Sequence, residues 1–475
     1  MRRNDLALVL TGLLALTGLL ALTGCSLAPE YNPPAIDAGE QYKELRDWKP
    51  AGADVPATGK WWEMFGDTRL NALEERLQAD NPSLAAATAR YAQALAQAGV
   101  SSAAELPSLG LSAQASSNRV SAERPLTTGK EATYRNFSVG PSLSYELDLF
   151  GRVSNSVKAD EAGAEASGDD RKTLLLGLQV RLASSYFSLR ALDERLALLH
   201  ETVSAYGRAR DLIAARRDDG YASGMDMNRA DTQLASAKVE LDMVKGQRER
   251  TEHAIAALLG VVPSRFSLEA AGRTLEPPKL SAGIPSALLE RRPDISAAER
   301  RMAAANARIG VAKAALYPQI TLGGAIGFQS TYGDLFQASN SFWALGPLAG
   351  ALSLFDGGAR QANVDISKAQ YDEAAATYRQ TVITAFQEVE DDLAFARQYE
   401  GQEAHQRQAA NAARNTLDLA LSRYQNGASS YLEVVTAQTA SLDAERALID
   451  LRSQQLALAA DMVRATGGGQ SGAMQ

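Results

Sequence analysis

Few side chains in this sequence have the types and spacings that could carry out chemistry. The three histidines, His200, His253 and His405, stand apart from one another and form no HExxH pair, so a zinc site of that kind is not expected. The glycine-rich stretch GGGQSG from Gly467 fits GxGxxG, but it follows a helical segment instead of joining a strand to a helix. The adjacent acids at 391–392 are typical of a solvated surface. The sequence therefore predicts no enzyme active site, no metal site and no cofactor site.

The remaining candidate is Cys25, the only cysteine among 475 residues. It follows an apolar run, Leu6–Leu22, which two arginines precede and which glycine and threonine interrupt. Such a run is typical of a signal peptide and is too short for a comfortable membrane span. The sequence LTGC that ends at Cys25 resembles the lipobox of bacterial lipoproteins. The resemblance implies N-palmitoyl and S-diacylglycerol groups on Cys25 and, because Ser26 follows, sorting to the outer membrane. An ordinary secretory signal with a chance cysteine is the alternative.

The composition excludes one class of partner and favours long helices. The formal net charge of −8 is mixed along the chain, whereas a nucleic-acid-binding protein needs a basic stripe. Proline, the strongest helix breaker, is absent between Pro141 and Pro263 and after Pro347. Two stretches of roughly 120 residues are therefore free to form long helices.

These two stretches belong to two copies of one unit. Five landmarks recur in the same order: NPSL at Asn81 and RPDI at Arg292, LPSLGL at Leu106 and YPQITL at Tyr317, LDLFGR ending at Arg152 and LSLFDGGAR ending at Arg360, RRDDGYASGMD near Gly220 and RYQNGASSYLE near Gly427, and Leu259-Gly260 and Thr466-Gly467. Constant order at nearly constant spacing indicates an internal duplication. Each copy is predicted to run helix, strand, strand, long helix, return helix.

A strict alternation identifies the strands. From Phe137 to Leu149 apolar side chains alternate with mostly small polar ones, and 342–354 repeats the pattern less cleanly. About 13 residues at roughly 3.3 Å each span about 43 Å, which at a tilt of about 45° crosses the hydrocarbon layer of a membrane. We expect the lipid-facing side chains to be Phe137, Val139, Leu143, Tyr145, Leu147, Phe342, Leu348 and Leu352. A soluble sandwich with one solvated face is the alternative.

The number of strands in one chain is too small for a closed barrel. Segments starting near Pro107 and Pro318 add one strand each, which brings the number to about four. About eight strands are needed before a barrel closes around its own side chains. An open sheet edge in lipid leaves backbone groups without partners. We therefore expect identical copies of the chain to associate in a closed ring.

The predicted helices carry narrow apolar seams. From Leu175 to Ile213 the seam residues recur at alternating steps of three and four, which is a heptad pattern. A helix from Val153 to Arg217 would be about 98 Å long at about 1.5 Å per residue. Alanine, serine, glutamine and arginine cover much of the remaining surface. This distribution favours a wall of side-by-side helices with water on both faces over a solid helical bundle.

The lipobox, the sequence KWWEMFGD at Lys60, the doubled strand starts, the doubled LFxGxR-like strand ends and the doubled helical hairpins resemble one family. They are similar to the outer membrane factors, the TolC- and OprM-like proteins, in their NodT-type lipoprotein branch. The resemblance implies a mainly α fold with a membrane β-barrel, in which a homotrimer with four strands per chain completes a twelve-stranded barrel above a periplasmic α-helical barrel. It also implies the exit duct of a tripartite efflux pump in the outer membrane of a Gram-negative bacterium. An inner membrane transporter would feed the duct, and a periplasmic adaptor (a membrane fusion protein) would join it.

The resemblance also gives roles to residues at the periplasmic ends of the hairpins. Adaptor docking falls on the two tips, at Asp219, Gly220, Asn426, Gly427 and Ser429. The aperture falls on Leu432 as an apolar gate, Glu433 as an acidic entrance residue, Thr436 where relatives carry a ring of aspartates, and Asp226 as the counterpart of Glu433 in the first copy. Because Thr436 is not acidic, we expect weaker cation selectivity than in such relatives.

The predicted domain organisation follows the duplication. It comprises a signal peptide (1–24), a lipidated N-terminal and equatorial segment (25–81), a first repeat (82–260), an equatorial connection (261–291), a second repeat (292–467) and a flexible tail (468–475). Strands are expected at about 107–121, 134–150, 318–331 and 341–355, with hairpin tips near 220 and 427. A lipid-anchored periplasmic adaptor or coiled-coil scaffold is the alternative function, and it predicts one helical hairpin and no lipid-facing strands. The exported substrate stays open between antibiotics, metal ions and other small solutes.

Overall fold

A computed structural model describes residues 26–34, 36, 42–44, 59–123, 131–270, 275–278 and 292–468 of the chain. Cys25, the predicted signal peptide 1–24 and residues 469–475 of the predicted tail lie outside the described residues. None of the helices in the described ranges combines the length and the apolarity needed to span a membrane.

The described elements form two repeats. A short 3₁₀ turn (Trp61–Phe65) and helix α1 (Thr68–Asp80) come first. The first repeat contains α2 (Pro82–Ala103), β1 (Ser108–Val120), β2 (Ala132–Leu147), α3 (Arg152–Asp218) and α4 (Gly224–Leu258). The second contains α5 (Pro293–Ala314), β3 (Gln319–Ser330), β4 (Ser341–Ala351), α6 (Ala359–Gln425) and α7 (Tyr431–Ala465).

Corresponding helices of the two repeats have equal lengths. They are 22 residues long in α2 and α5, 67 in α3 and α6, and 35 in α4 and α7. The predicted duplicated fold of helix, strand, strand, long helix and return helix is confirmed. The described part of the chain therefore contains two helical hairpins, α3–α4 and α6–α7, and a four-stranded sheet. The alternative of an adaptor or scaffold with a single hairpin and no such strands is wrong.

The repeats also share individual contacts. Each begins with proline at the first helical position, where the missing N–H costs no helix bond. In the first repeat the residue before this proline, Asn81, donates from its side-chain amide to the carbonyl of Leu258 at 2.7 Å. In the second repeat Arg292 donates to the carbonyl of Ala465 at 3.1 Å. Leu258 and Ala465 are the last residues of the two return helices. In each repeat, therefore, the residue before the first helix bonds the last carbonyl of the return helix, although the side chain differs.

The chain divides into two compact units. The first contains the described residues within Met1–Ala35, Arg90–Gly168 and Ala297–Tyr378, and therefore the whole sheet. The second contains the described residues within Ile36–Ala89, Asp169–Ser296 and Arg379–Gln475, and therefore both hairpin tips.

The second unit has a continuous apolar core around the WWEMF sequence. Trp61, Trp62 and Phe65 are buried against α3, with the ring centroids of Phe65 and Phe187 4.7 Å apart. Glu74 on α1 is fully buried, and neither of its carboxylate oxygens has a hydrogen-bond partner among the described residues. Burial raises the pKa of Glu74 to about 9, because an apolar environment disfavours the charged carboxylate.

The sheet of the first unit is antiparallel throughout, in the order β1-β2-β3-β4. Within the described chain, β1 and β4 each have one strand neighbour, so their outer edges are unpaired. Directly paired residues point to the same face of a sheet. Pairs such as Leu109 with Leu143 and Tyr145 with Leu322 therefore build one apolar face. The opposite face carries the small and polar residues Ser108, Ser112, Gln114, Ser138, Ser142, Ser144, Thr321 and Gln329.

The register corrects one residue of the predicted lipid-facing set. Phe137, Val139, Leu143, Tyr145, Leu147 and Leu348 lie on the apolar face, and Leu352 follows the last residue of β4. Phe342, however, pairs with Gly327 and lies on the opposite face. The reason is a bulge in β4, where the register shifts between Leu322 and Gly324, because an extra residue reverses the alternation beyond it. Trp343 occupies the place predicted for Phe342 and is 78% exposed.

Candidate functional site

The two hairpin tips are built by the same turn. Gly220 has φ +80° and Gly427 has φ +73°, a left-handed conformation that glycine adopts at no steric cost. In the first tip Gly220 donates its N–H to the carbonyl of Arg217 at 3.0 Å, and in the second Gly427 donates to that of Tyr424 at 3.0 Å. These glycines satisfy carbonyls at the ends of α3 and α6 and reverse the chain.

The residues predicted to dock an adaptor lie at these turns. Asp219, Gly220, Asn426 and Gly427 are exposed, and Ser429 is half-buried. The side-chain amide of Asn426 donates to the carbonyl of Ser422 at 2.8 Å, which holds it against the end of α6. Both tips thus expose polar side chains at the turn, and the first tip also exposes Tyr221 and Met225.

The predicted aperture residues of the second hairpin lie together at the start of α7. Leu432, Glu433 and Thr436 are all exposed, and Leu432 is 49% exposed despite its apolar side chain. The Thr436 hydroxyl donates to the carbonyl of Leu432 at 3.0 Å, one helical turn earlier. Residues four apart lie on one helix face, so Leu432 and Thr436 lie on the same solvent-exposed face of α7.

Asp226, the fourth predicted aperture residue, bonds residues of its own hairpin. Its carboxylate accepts from the backbone N–H of Ser223 at 3.4 Å, and the Ser223 hydroxyl accepts from the backbone N–H of Asp226 at 3.1 Å. This is a capping box that starts α4. Arg229 on the next turn approaches the carboxylate at 3.5 Å. The contacts of Asp226 described here stabilise the first tip.

A residue that the sequence did not single out joins the two tips. Arg216, in the last turn of α3, donates to the carbonyl of Tyr424 at 3.0 Å and to that of Gln425 at 2.7 Å. Its guanidinium carbon lies 4.9 Å from the centroid of the Tyr424 ring. The last carbonyls of a helix carry partial negative charge and favour a cation. Arg216 therefore caps α6 from the other hairpin; we name these three contacts the tip contact.

An apolar cluster lies beside the tip contact. It takes Ile213 from α3, Met227 from α4, Tyr424 from α6 and Val434 from α7, so all four helices contribute. The ring of Tyr431 lies 5.4 Å from that of Tyr424, and burial raises the pKa of Tyr431 to about 12. Tyr431 is therefore neutral at physiological pH and packs as a neutral aromatic side chain.

A second polar link joins the hairpins further along. Glu240 on α4 lies 3.0 Å from Arg446 on α7 and 3.5 Å from Arg195 on α3. Arg195 also lies 3.5 Å from Asp450 on α7. Since the side chains of Glu240 and Arg195 are each only 15% exposed, water screens this network less than a surface pair.

The segment that follows Cys25 is held in the first unit. The Ser26 hydroxyl donates to the buried side chain of Asn155 at 2.9 Å, and the Asn155 amide donates to the carbonyl of Gly151 at 2.5 Å, where the chain passes from β2 into α3. The side-chain amide of Asn306 on α5 donates to the carbonyl of Pro29 at 2.9 Å. A methyl group on Gly310 would lie 2.6 Å from the Asn155 amide nitrogen, so only glycine allows this approach.

The comparisons with known proteins cover almost the whole chain. The family model described as "Outer membrane efflux protein" matches residues 73–261 and 284–468. The outer membrane protein OprJ of Pseudomonas aeruginosa is 34% identical over 453 residues, which are 94% of this chain and 93% of OprJ. The cation efflux system protein CusC of Escherichia coli is 30% identical over 448 residues, which are 94% of this chain and 96% of CusC. The solved CmeC outer membrane channel of Campylobacter jejuni matches with a TM-score of 0.88 at 26% identity, covering 94% of this chain and 96% of CmeC. The chain therefore belongs to the outer membrane efflux protein family, whose members are channels and not enzymes.

Proposed function

We propose that three copies of this chain form the passive exit duct of a tripartite efflux pump in the outer membrane. The four strands of each copy contribute to one twelve-stranded barrel, and the hairpins continue it as a helical barrel in the periplasm. An inner membrane transporter supplies the energy and the substrate, and a periplasmic adaptor docks at the hairpin tips. Solutes cross by diffusion, so this chain carries out no chemical step.

The observation that carries this proposal is the sheet. One face is apolar with large exposed side chains, Leu111 at 79% and Trp343 at 78%, while the opposite face is mostly small and polar, with Phe342 as an exception. Such a sheet suits lipid on one side and a water-filled lumen on the other. Its two unpaired edges need partners, because backbone groups in hydrocarbon have no water to bond.

We further propose that Cys25 carries the lipid anchor. Its neighbour Ser26 is bonded to Asn155 close to the end of β2, the same end of the sheet at which α3 begins. An acyl chain on Cys25 would thus start near the proposed boundary between membrane and periplasm. Metabolic labelling with an alkyne-tagged palmitate tests this step: we expect label on the intact protein and none on Cys25→Ser.

The aperture is proposed at the start of α7. Around a threefold axis, the exposed side chains of Leu432, Glu433 and Thr436 would form three rings, of which only the Glu433 ring is charged. A ring of carboxylates favours cations. The adaptor is proposed to shift the balance between a closed and an open packing of the hairpins.

Planar bilayer recording of the purified protein tests the duct directly. We expect stepwise conductance with a modest cation preference, and we expect Glu433→Gln to weaken that preference. A cation preference that Glu433→Gln leaves untouched would remove Glu433 from the aperture, whereas absence of any conductance would contradict the duct itself. Thr436→Asp is the complementary variant, for which we expect a stronger cation preference.

A further inference from the structure

The internal duplication provides a rule for contacts between neighbouring repeats. Where the first repeat leaves the sheet, Phe150 in the sequence LDLF stacks on Tyr317, the residue just before Pro318 at the start of the second repeat's strands. The two ring centroids are 4.7 Å apart and the ring planes are inclined by only 19°. An aromatic contact thus seals the junction between repeat one and repeat two, at the end of the sheet where α3 begins.

Among the described residues, nothing covers the corresponding residues at the other two ends of the repeats in this way. Where the second repeat leaves the sheet, the sequence LSLF ends in Leu354 and Phe355, which are 91% and 90% exposed. Before the first strand, Leu106 stands in the place of Tyr317 and is 69% exposed. Leu354 and Phe355 flank β4, and Leu106 flanks β1, the two strands whose outer edges are unpaired in the described chain. We call Leu354 and Phe355 the exit pair.

We infer that the exit pair of one copy covers Leu106 of the next copy, and so repeats between chains the contact that Phe150 and Tyr317 make within one chain. The inference rests on the proposed ring of copies. In such a ring the second repeat of one chain is followed by the first repeat of its neighbour, as the first is followed by the second within a chain. The β2–β3 pairing across the repeat junction is antiparallel, so β4 and the neighbour's β1 are expected to pair antiparallel as well.

The occupant of this apolar surface is a second copy for two reasons. The surface is split between both edges of the same sheet, so a single foreign partner would have to contact the two edges at once. The within-chain junction is already filled by a side chain of the matching type, because Phe150 and Phe355 occupy the same place in the LDLF and LSLF sequences. Lipid chains are the competing occupant, and the experiment below separates the two.

Cross-linking of paired cysteines in membranes tests the inference. The double variant Leu106→Cys with Phe355→Cys is treated with a short bismaleimide. Acylation at the proposed site consumes Cys25, the only native cysteine, so the introduced thiols alone react. We expect most chains to shift to covalent dimers and closed trimers on denaturing gels. Each single variant should stay monomeric on the same gel.

Two control pairs make every outcome decisive. Phe150→Cys with Tyr317→Cys should cross-link within one chain and show that reagent reaches this end of the sheet. Leu106→Cys with Phe336→Cys pairs a second exposed residue from the β3–β4 connection, at the opposite end of the sheet, and should give no oligomers. The inference would be overturned, and the duct left intact, by three results together. Native mass spectrometry would show three-copy particles, the 106–355 pair would not cross-link, and the 150–317 pair would cross-link. Particles of one copy would overturn the duct itself.

Discussion

The tip contact makes a quantitative prediction about opening. Arg216→Ala removes two hydrogen bonds from a guanidinium to the last carbonyls of α6, at 3.0 and 2.7 Å. Because α7, which carries the proposed aperture residues Leu432, Glu433 and Thr436, begins shortly after these carbonyls, the tip contact fixes where these residues stand relative to the first hairpin. Loss of the contact should favour the open packing.

The size of the effect follows from the chemistry of the contact. Hydrogen bonds to charged groups contribute about 1.5–3 kcal/mol each when they are well shielded. Arg216 is only half-buried, so solvent screening leaves about 1.5–3 kcal/mol for the two bonds together. At about 1.4 kcal/mol per factor of ten, the ratio of closed to open channels should fall about 10- to 100-fold.

Single-channel recording of the purified protein measures this ratio as the time spent at low and at high conductance. The matched control is Arg423→Ala. Arg423 occupies the same place in the second hairpin, but its guanidinium donates at 3.3 Å to Ala428 of its own tip. Arg216→Lys keeps the charge without the forked geometry and should restore part of the closed population. An unchanged ratio in Arg216→Ala, or an equal change in Arg423→Ala, would show that the tip contact does not hold the closed packing.

Three further predictions concern the rest of the chain. Trp343→Arg should destabilise the folded protein by up to about 2–4 kcal/mol and lower its yield in the outer membrane. Phe342→Arg, on the mostly polar face, should be tolerated. Immunoblots of outer membranes measure the yield, and equal losses of protein in both variants would contradict the assigned faces. Since the pKa of Glu74 rises from 4.5 to about 9 on folding, the folded chain keeps a proton that the unfolded chain releases, so stability falls as pH rises between these values. Glu74→Gln should therefore raise the melting temperature in detergent more at about pH 8 than at about pH 5. A rise in melting temperature that does not depend on pH would contradict the raised pKa of Glu74. Gly310→Val should displace the segment after Cys25 and speed hydrogen exchange of residues 26–34, while Gly163→Ala, whose new methyl meets nothing within 4 Å, should leave exchange unchanged.

The duplication was readable from the sequence because it rests on local signals. Proline at the start of α2 and α5 and glycine at the tips mark places where only a few residue types fit the backbone. These marks recur in order, and the equal helix lengths of the structure follow from them. The alternation along β2 likewise predicted its apolar face, since β2 has no bulge against β1.

The misplaced Phe342 shows where alternation fails. An alternation with a period of two assigns side chains to the two faces of a strand only as far as the first bulge. The register of β4 shifts near Gly346 and Pro347. The sequence GPLAG in this region contains the glycine that bulges commonly use, so a bulge could have been considered. The exposure of Trp343 then follows from the register.

The tip contact could not have been predicted in the same way. Arg216 and Tyr424 are 208 residues apart, and the acceptors are backbone carbonyls, which no side-chain pattern marks. Asp226 presents the opposite case. Its spacing from Ser223 is that of a capping box, a local signature that predicts its contacts within the first hairpin.

Native mass spectrometry of the full-length protein, released from membranes in mild detergent, measures how many chains form one particle. We expect a particle of three chains, because four strands with two unpaired edges cannot enclose a lumen alone. A stable single chain that stays in solution without detergent, once Cys25 is replaced by serine, would contradict it.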